Sequence, residues 1–425
     1  MPVRQDIAIL PPFFLYIPGG NVLKIDHNRH SGLVMLILVL SAMVGPLSID
    51  LFTPSLPAIT DAFGSSAAVT QWTVSIFMIG FSVSMLICGP LSDRFGRRKT
   101  LLAGYLVYLI ATGVILWTSR IEVFIAARFL QAVAGCFGTA LSRAIARDLY
   151  KDKNDVRILG MISATLCIAP MVAPIIGGVL QEWFGWHSSF MAMIVFGAFV
   201  ASAVSLLPES NTPDTETSLA GMLAGYRDLF SDRRFMSLTL TAALAFSGAF
   251  VFVASAPFVL IGHFELAPKT YGMLFAVIMG AYIGSSLLAG RITDWLGKAG
   301  SQRLAWCILI TGTLVAVISA LITDGQSIIG YVAGIAIYEA GLGLFMPACQ
   351  ANALSHLKKH VGTASGLIFF LEMLVASLVS TLAGKIDHSS TLPLAMLTAT
   401  TLGIALILTI AFKLFSTPHQ PTVQA

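Results

Sequence analysis

The chain has 425 residues, of which 56 % are apolar and only 11 % are charged. Its 37 glycines bring the apolar share to about 65 %, against roughly 45–50 % apolar and 25 % charged in soluble domains. So few charges cannot cover a water-soluble protein of this size, which excludes soluble, disordered, collagenous and disulfide-stapled classes. A net charge of +4 is too small to point to nucleic acid.

In chain order, residues 1–31 are polar or mixed and are expected to be cytoplasmic. The run Ile7–Ile17 inside them carries Pro11 and Pro12 and fits a segment lying on a bilayer rather than crossing it. No cleavable signal peptide is expected, because the first long apolar run is longer than a signal core. Six runs long enough to span a bilayer follow: Gly32–Leu56, Gln71–Leu91, Thr100–Trp117, Glu122–Ile145, Ile158–Leu180 and Ser188–Leu207. Residues 208–235 form the longest connection and turn amphipathic from Leu219 to Phe230, as a cytoplasmic linker with a surface helix would. Six more runs complete the set: Met236–Ile261, Tyr271–Gly290, Leu304–Ile322, Ser327–Leu354, Val361–Ala383 and Leu392–Phe415. Residues 416–425 are a short tail. The runs are continuous rather than alternating, so they read as helices and not as a barrel. The expected fold is an all-α polytopic membrane protein with bundles at 32–207 and 236–415.

Charge supports this division. The termini and every second loop hold 21 of the 25 Lys and Arg residues, which puts both termini in the cytoplasm. All six Trp residues fall at span ends, where interfacial anchors are expected. Cys88, Cys136, Cys167, Cys307 and Cys349 all lie in apolar runs and read as small packing residues.

The halves also repeat. Gly89-Pro-Leu-Ser-Asp93-Arg-Phe-Gly96 closes span two, and Gly290-Arg-Ile-Thr-Asp294-Trp-Leu-Gly297 closes span eight, 201 residues later. Duplicated six-helix halves suit a secondary transporter with its substrate site between them near the midplane. The first octet runs on into Arg97-Arg98-Lys99 and resembles the loop signature of the major facilitator superfamily. Arg128-Phe-Leu-Gln131-Ala-Val-Ala-Gly135 in span four and Ala173-Pro174-Ile-Ile-Gly177-Gly178 in span five are similar to its drug/proton antiporter branch. With Ile49-Asp50-Leu-Phe-Thr-Pro54-Ser-Leu-Pro57 in span one, the chain resembles the Bcr/CflA multidrug efflux family over about Gly32 to Phe415. Ala173 stands where that family usually has Gly. The resemblance implies twelve helices in two pseudo-symmetric bundles, and a span-five motif (with Pro170 upstream) that closes the half interface against proton leak.

Four ionisable residues inside spans are the candidates for chemistry. A charge at a helix centre costs about 2.5–3.5 kcal/mol on insertion scales, so such residues are functional by default. Asp50 is read as the principal proton carrier, set by burial against nearby positive charge. Arg128 lies at a comparable depth and is expected to face inward as its partner; it shares a helix face with Gln131 and Gly135. Glu339 and Glu372 lie near the midplane, as proton relays, cation-binding groups, or protonated acids bonded between helices. The loop residues Gly89, Asp93, Gly96, Arg97 and Arg98, with Asp294 in the second copy, are read as controlling conformation. Asp93 is expected to face the start of span eleven, where the helix dipole favours an anion. His356 and His360 have metal-ligand spacing but read as solvated in a basic loop.

No GxxxxGK[ST] occurs, so no ATP site and no cofactor are expected, and a proton gradient would drive the protein. With no metal-ligand set or nucleophile–base pair in the spans, it does not read as an enzyme. The expectation is a monomeric proton antiporter of the bacterial inner membrane exporting small lipophilic compounds. An exporter of one endogenous metabolite such as a siderophore, a proton symporter, and a membrane ligand sensor stay open.

Overall fold

The computed structural model describes residues 31–150, 155–210, 219–357 and 361–415. Ile7–Ile17, the linker stretch 211–218, His360 and the tail 416–425 lie outside the described residues. Apolar runs of bilayer length make helices because no other structure satisfies their backbone in lipid. The first bundle contains α1 (Ser31–Asp50), α2 (Leu56–Ala62), α3 (Ala67–Phe95), α4 (Arg97–Trp117), α5 (Ile121–Gly135), α6 (Phe137–Leu149), α7 (Asp155–Phe184) and α8 (His187–Val204). The linker helix α9 (Leu219–Ser231) leads to α10 (Arg233–Ala256), α11 (Pro268–Ile322), α12 (Ile328–Leu354), α13 (Val361–Ala383) and α14 (Leu392–Phe415). Among the described residues ten helical stretches are long and apolar enough to cross a membrane. One of them, α11, holds two crossings in series, and α7 completes the twelve.

Spans one and four are interrupted. Span one stops at Asp50, passes a 3₁₀ turn at Thr53–Ser55, and resumes at α2, whose first turn holds Pro57. Proline costs little there because the first-turn N–H has no helical partner. Pro46 lies inside α1 without ending it. Span four breaks at Cys136 without a proline. Spans eight and nine were expected to be joined by a loop; the structure instead runs helix through the connection, with one break at Gly297 (φ +69°). Gly96 has φ +96° at the equivalent corner of the first half. Only glycine takes such angles cheaply, so the two matched glycines make the same turn in each half.

The first bundle packs around Phe77, Tyr105, Tyr108, Phe124 and Phe190. Ala254, Phe258, Met373 and Ala376 of the second bundle join that core, so the halves share one apolar seam. Exposed Ile110, Val195, Ile318 and Ile407 lie on the perimeter, where lipid replaces water. Two expectations fail here. Trp186 is a core residue stacked on His187 rather than an interfacial anchor, and Cys307 is exposed on the perimeter. Cys88, Cys136 and Cys349 are buried as expected.

The linker helix α9 seats Leu229 and Tyr226 against Phe235, Ala364 and Leu367, below α10 and α13. Asp232 then caps α10 by accepting the Arg234 and Phe235 N–H groups at 3.0 and 2.9 Å. The same carboxylate meets His356 Nε2 at 2.6 Å, so His356 is paired rather than solvated. Burial pushes the Asp232 carboxyl up, but the Phe235 and His356 bonds outweigh it and hold the group below the usual carboxylate range. Its contribution to stability is present above the unfolded value near 4 and is lost as the pH falls through the lower folded value. Asp232→Ala is expected to cost about 1 kcal/mol, the usual worth of a helix cap. A lowered melting temperature at pH 7 that converges on wild type at acid pH checks this.

Candidate functional site

Asp50 is the last residue of α1 and is 4 % exposed. The break that follows it carries Thr53, whose hydroxyl donates to the Asp50 carbonyl at 2.9 Å. Across the seam, the buried Tyr271 hydroxyl of α11 lies close to Thr53 and to the Asp50 charge without a hydrogen bond of normal geometry. No Lys or Arg forms an ion pair with Asp50 among the described residues. A buried carboxyl without a cation is thus set where the two halves meet.

Arg128 is fully buried, and the expected pairing with Asp50 is not found. Its guanidinium lies over Phe52 and Phe77 at 4.1 and 4.2 Å from the ring centroids, with Phe190 at 6.0 Å. It donates to the Ser48 carbonyl at 3.1 Å and to Gln131 Oε1 at 2.5 Å. Gln131 Nε2 donates on to Thr112 Oγ1 at 2.8 Å. One terminal nitrogen of Arg128 stays without a partner. The physical reason lies in the break after Asp50: Phe52 swings over the guanidinium, and aromatic faces replace the carboxylate. Arg128 therefore organises spans one, two and four. Arg128→Ala is expected to lower the amount of folded protein and to leave the pH profile of proton release unmoved. A shifted profile in purified, folded protein would restore the coupling to Asp50.

Glu339 and Glu372 are 3 % and 2 % exposed. Glu339 accepts no hydrogen bond among the described residues. Glu372 Oε1 accepts from Gln350 Nε2 of α12 at 2.9 Å. Tyr338, the residue before Glu339, donates its hydroxyl to the Ala245 carbonyl at 2.6 Å and ties α12 to α10. On α10, Phe246 and Phe250 pack with their rings tilted 55° and centroids 5.0 Å apart, and touch cores of both halves. The second bundle thus carries two buried acids on α12 and α13 and a half-buried aromatic pair on α10.

A buried polar ladder joins the halves on the side away from the basic loops. Gln71 Nε2 donates to Ser255 Oγ at 3.1 Å and to the Ser380 carbonyl at 2.9 Å. Ser75 donates to Ser380 Oγ at 3.0 Å, and Ser377 donates to the Ser75 carbonyl at 2.9 Å. Beside it α7 and α11 meet backbone to backbone. A Cβ on Gly178 would strike the Pro268 carbonyl, and one on Gly272 would strike the Pro174 carbonyl. Gly177 sits closer still to the Leu51 carbonyl of span one. Ala173, Pro174, Gly177 and Gly178 are buried and Pro170 is half-buried, so the span-five motif forms part of this closed end. The ladder serines went unnoticed in the sequence, although Gln71 and Ser75 at i, i+4 and Ser377 and Ser380 at i, i+3 are the signal for a polar helix seam.

On the basic face, the bond that Asp93 makes among the described residues is to Arg97 rather than to α13. Arg97 bonds Asp93 at 2.6 Å and Asp148 at 2.9 Å, tying α3, α4 and α6 together. The Arg98 N–H donates to Glu209 at 3.1 Å and its guanidinium donates to the Ser205 carbonyl. The same Glu209 carboxylate covers Gly96. Gly89 has open space around it, and Asp294 in the second half is exposed without an ion pair among the described residues. Arg97 thus gathers two acids within the first half, because the Gly96 corner turns α4 back beside the end of α3. Asp93→Asn is expected to slow turnover far more than it weakens equilibrium substrate binding. Affinity falling in proportion to transport would contradict a conformational role.

Known proteins resemble this chain in sequence and fold. A family model described as Major Facilitator Superfamily matches residues 38–380. The chain is 27 % identical over 357 residues to the chloramphenicol resistance protein CraA of Acinetobacter baumannii, covering 83 % of this chain and 86 % of that one. It is 25 % identical over 395 residues to a bicyclomycin resistance protein homolog of Haemophilus influenzae, covering 92 % and 98 %. A crystal structure of the nucleoside transporter NupG superposes with a TM-score of 0.72 at 12 % identity, covering 91 % of this chain and all of that one. The twelve spans, the matched glycine corners and the length of the family match together place this chain in the Major Facilitator Superfamily, as a multi-pass membrane transporter.

Proposed function

We propose that the protein exports small, largely lipophilic compounds across a bacterial cytoplasmic membrane in exchange for protons. The observation that carries this reading is Asp50, a buried carboxyl with no cation, placed where the two halves meet. The names of the relatives supply the substrate class, since they describe resistance to chloramphenicol and bicyclomycin. The Lys and Arg bias supports a cytoplasmic basic face and cytoplasmic termini. The ladder of Gln71, Ser75, Ser255, Ser377 and Ser380 then marks the closed outer end.

In this scheme substrate enters from the basic face and packs against Phe246 and Phe250 while the outer end is closed. An ionised Asp50 is unfavourable in that buried seam. Parting of the seam at Tyr271 exposes Asp50 to the outer medium, where it takes a proton as substrate leaves. Closure carries the proton inward, and the next substrate favours its release. The gradient then drives the cycle without ATP, and the protein is no enzyme. Glu339 and Glu372 are secondary proton or cation sites, and the working unit is a monomer.

The test is a substrate screen in proteoliposomes under an imposed pH gradient, with chloramphenicol and bicyclomycin in the panel. Uphill movement of a drug coupled to opposite proton flux is expected. Downhill movement indifferent to the gradient, or co-movement with protons, would contradict the proposal.

A further inference from the structure

A cavity of about 430 Å³ lies at the basic end of the second bundle, between α10, α12, α14 and the second crossing of α11. None of Asp50, Glu339 and Glu372 lines it. Its polar lining consists of Arg234, Ser237, Thr241, Gln302, Asn352 and Thr409, and no acidic residue lines it. Ser237 is 9 % exposed and its hydroxyl makes no hydrogen bond among the described residues. Thr241 is 4 % exposed, and its one side-chain contact is a 3.5 Å approach to Thr409. The Arg234 guanidinium and the Gln302 and Asn352 amides likewise bond nothing among the described residues. Asp232, two residues before Arg234, is occupied by the α10 N–H groups and by His356.

Hydroxyls and amides that make few bonds within the protein, set around the exposed Arg234 guanidinium in an open cavity, offer several donors to an anionic ligand with several acceptor oxygens. A guanidinium suits a phosphate by its planar fork of donors. The cavity lies at the end of its helices, at headgroup level, and α14 presents exposed Ile407 and Ile410 around from it. Those side chains offer an acyl chain an apolar path that a free ion does not need. Basic pockets between transmembrane helices on the cytoplasmic side are suited to anionic headgroups.

We infer that this cavity binds the phosphodiester headgroup of an anionic phospholipid of the inner leaflet, with Arg234 on the phosphate and Ser237, Thr241 and Gln302 on its oxygens. The inference rests on the proposed orientation but not on the proposed substrate or on proton coupling. Occupancy would brace α10 against α12 and α14, the helices that carry the aromatic pair and Glu339.

The test uses the full chain, purified in detergent, with lipid retention read by native mass spectrometry and thermal unfolding. Phosphatidylglycerol, phosphatidylcholine and inorganic phosphate are the three probes. Phosphatidylglycerol is expected to be retained and to raise the melting temperature, with neither other probe doing so. Arg234→Ala is expected to reduce that retention roughly fivefold, the effect of removing one basic contact to an anionic headgroup. Thr241→Val, which keeps the shape of the side chain, guards against a merely misfolded variant and is expected to weaken retention as well. Equal retention by wild type and both variants, or equal retention of phosphatidylcholine, overturns the site. Stabilisation by inorganic phosphate equal to that by the lipid, and lost in Arg234→Ala, overturns the lipid assignment in favour of a soluble anion. Because no arm measures transport, failure here leaves the exporter proposal standing, and failure of the exporter proposal leaves this one standing.

Discussion

Asp50→Asn is expected to abolish uphill, gradient-driven export while leaving a folded protein that still binds substrate. The substitution keeps the shape of the side chain and removes the group that takes up and releases a proton. It also removes the cost of a charge in a buried seam, so stability is expected to hold or to rise. The measurement is drug accumulation in proteoliposomes under a pH gradient, beside melting temperature and equilibrium binding. Export at the wild-type rate would move the proton to Glu339 or Glu372. Glu339→Gln and Glu372→Gln are the natural companions, each expected to alter the substrate range more than the coupling.

Gly178→Val and Gly272→Val are expected to force the outer end open. Each adds a branched side chain where backbone from the opposite half already fills the space, at the Pro268 and Pro174 carbonyls. Main-chain atoms cannot turn aside as a long side chain would, so the helices must separate. Separation strains the Gln71–Ser380 and Ser75–Ser377 bonds nearby. A cysteine placed at Ser255 is buried in the wild-type seam and is expected to become reactive to a membrane-impermeant thiol reagent in either variant. Proton leak without substrate is expected to rise and coupled export to collapse. An unreactive Ser255→Cys in a folded Gly178→Val protein would show that the α7–α11 contact does not hold the seam. Gly178→Ala gives a graded control, because one methyl group still collides but displaces less.

The twelve spans were legible because bilayer thickness imposes a length on apolar runs that nothing else in a chain imitates. The Gly297 corner was legible because its octet repeats that of Gly96, and both glycines take positive φ. The break at Cys136 was not, since no proline or repeated glycine marks it. Asp50, Glu339 and Glu372 stood out because an acid in an apolar run is costly wherever it points. The pairing of Asp50 with Arg128 failed for a geometric reason. Helix rise gives the depth of a residue, but not the direction it takes after a helix ends. The turn after Asp50 rotates the chain and puts Phe52 over the guanidinium, in a cage completed by Phe77 and Phe190 from two other spans. The seam serines were illegible for another reason: small hydroxyl residues are common in membrane helices, and only pairing across halves separates a gate from ordinary packing. The Arg97 bridge to Asp148 joins residues 51 apart and depends on the Gly96 corner bringing α4 back beside α6.

The central claim is that Asp50 exchanges a proton for substrate. Its most direct test is proton release on adding a transported drug to purified protein in weakly buffered detergent solution, followed with a pH-sensitive dye. Wild type is predicted to release protons on substrate binding over a defined pH range, and Asp50→Asn to bind the same drug and release none. Undiminished release from Asp50→Asn, or binding by wild type without release at any pH tested, would contradict the account.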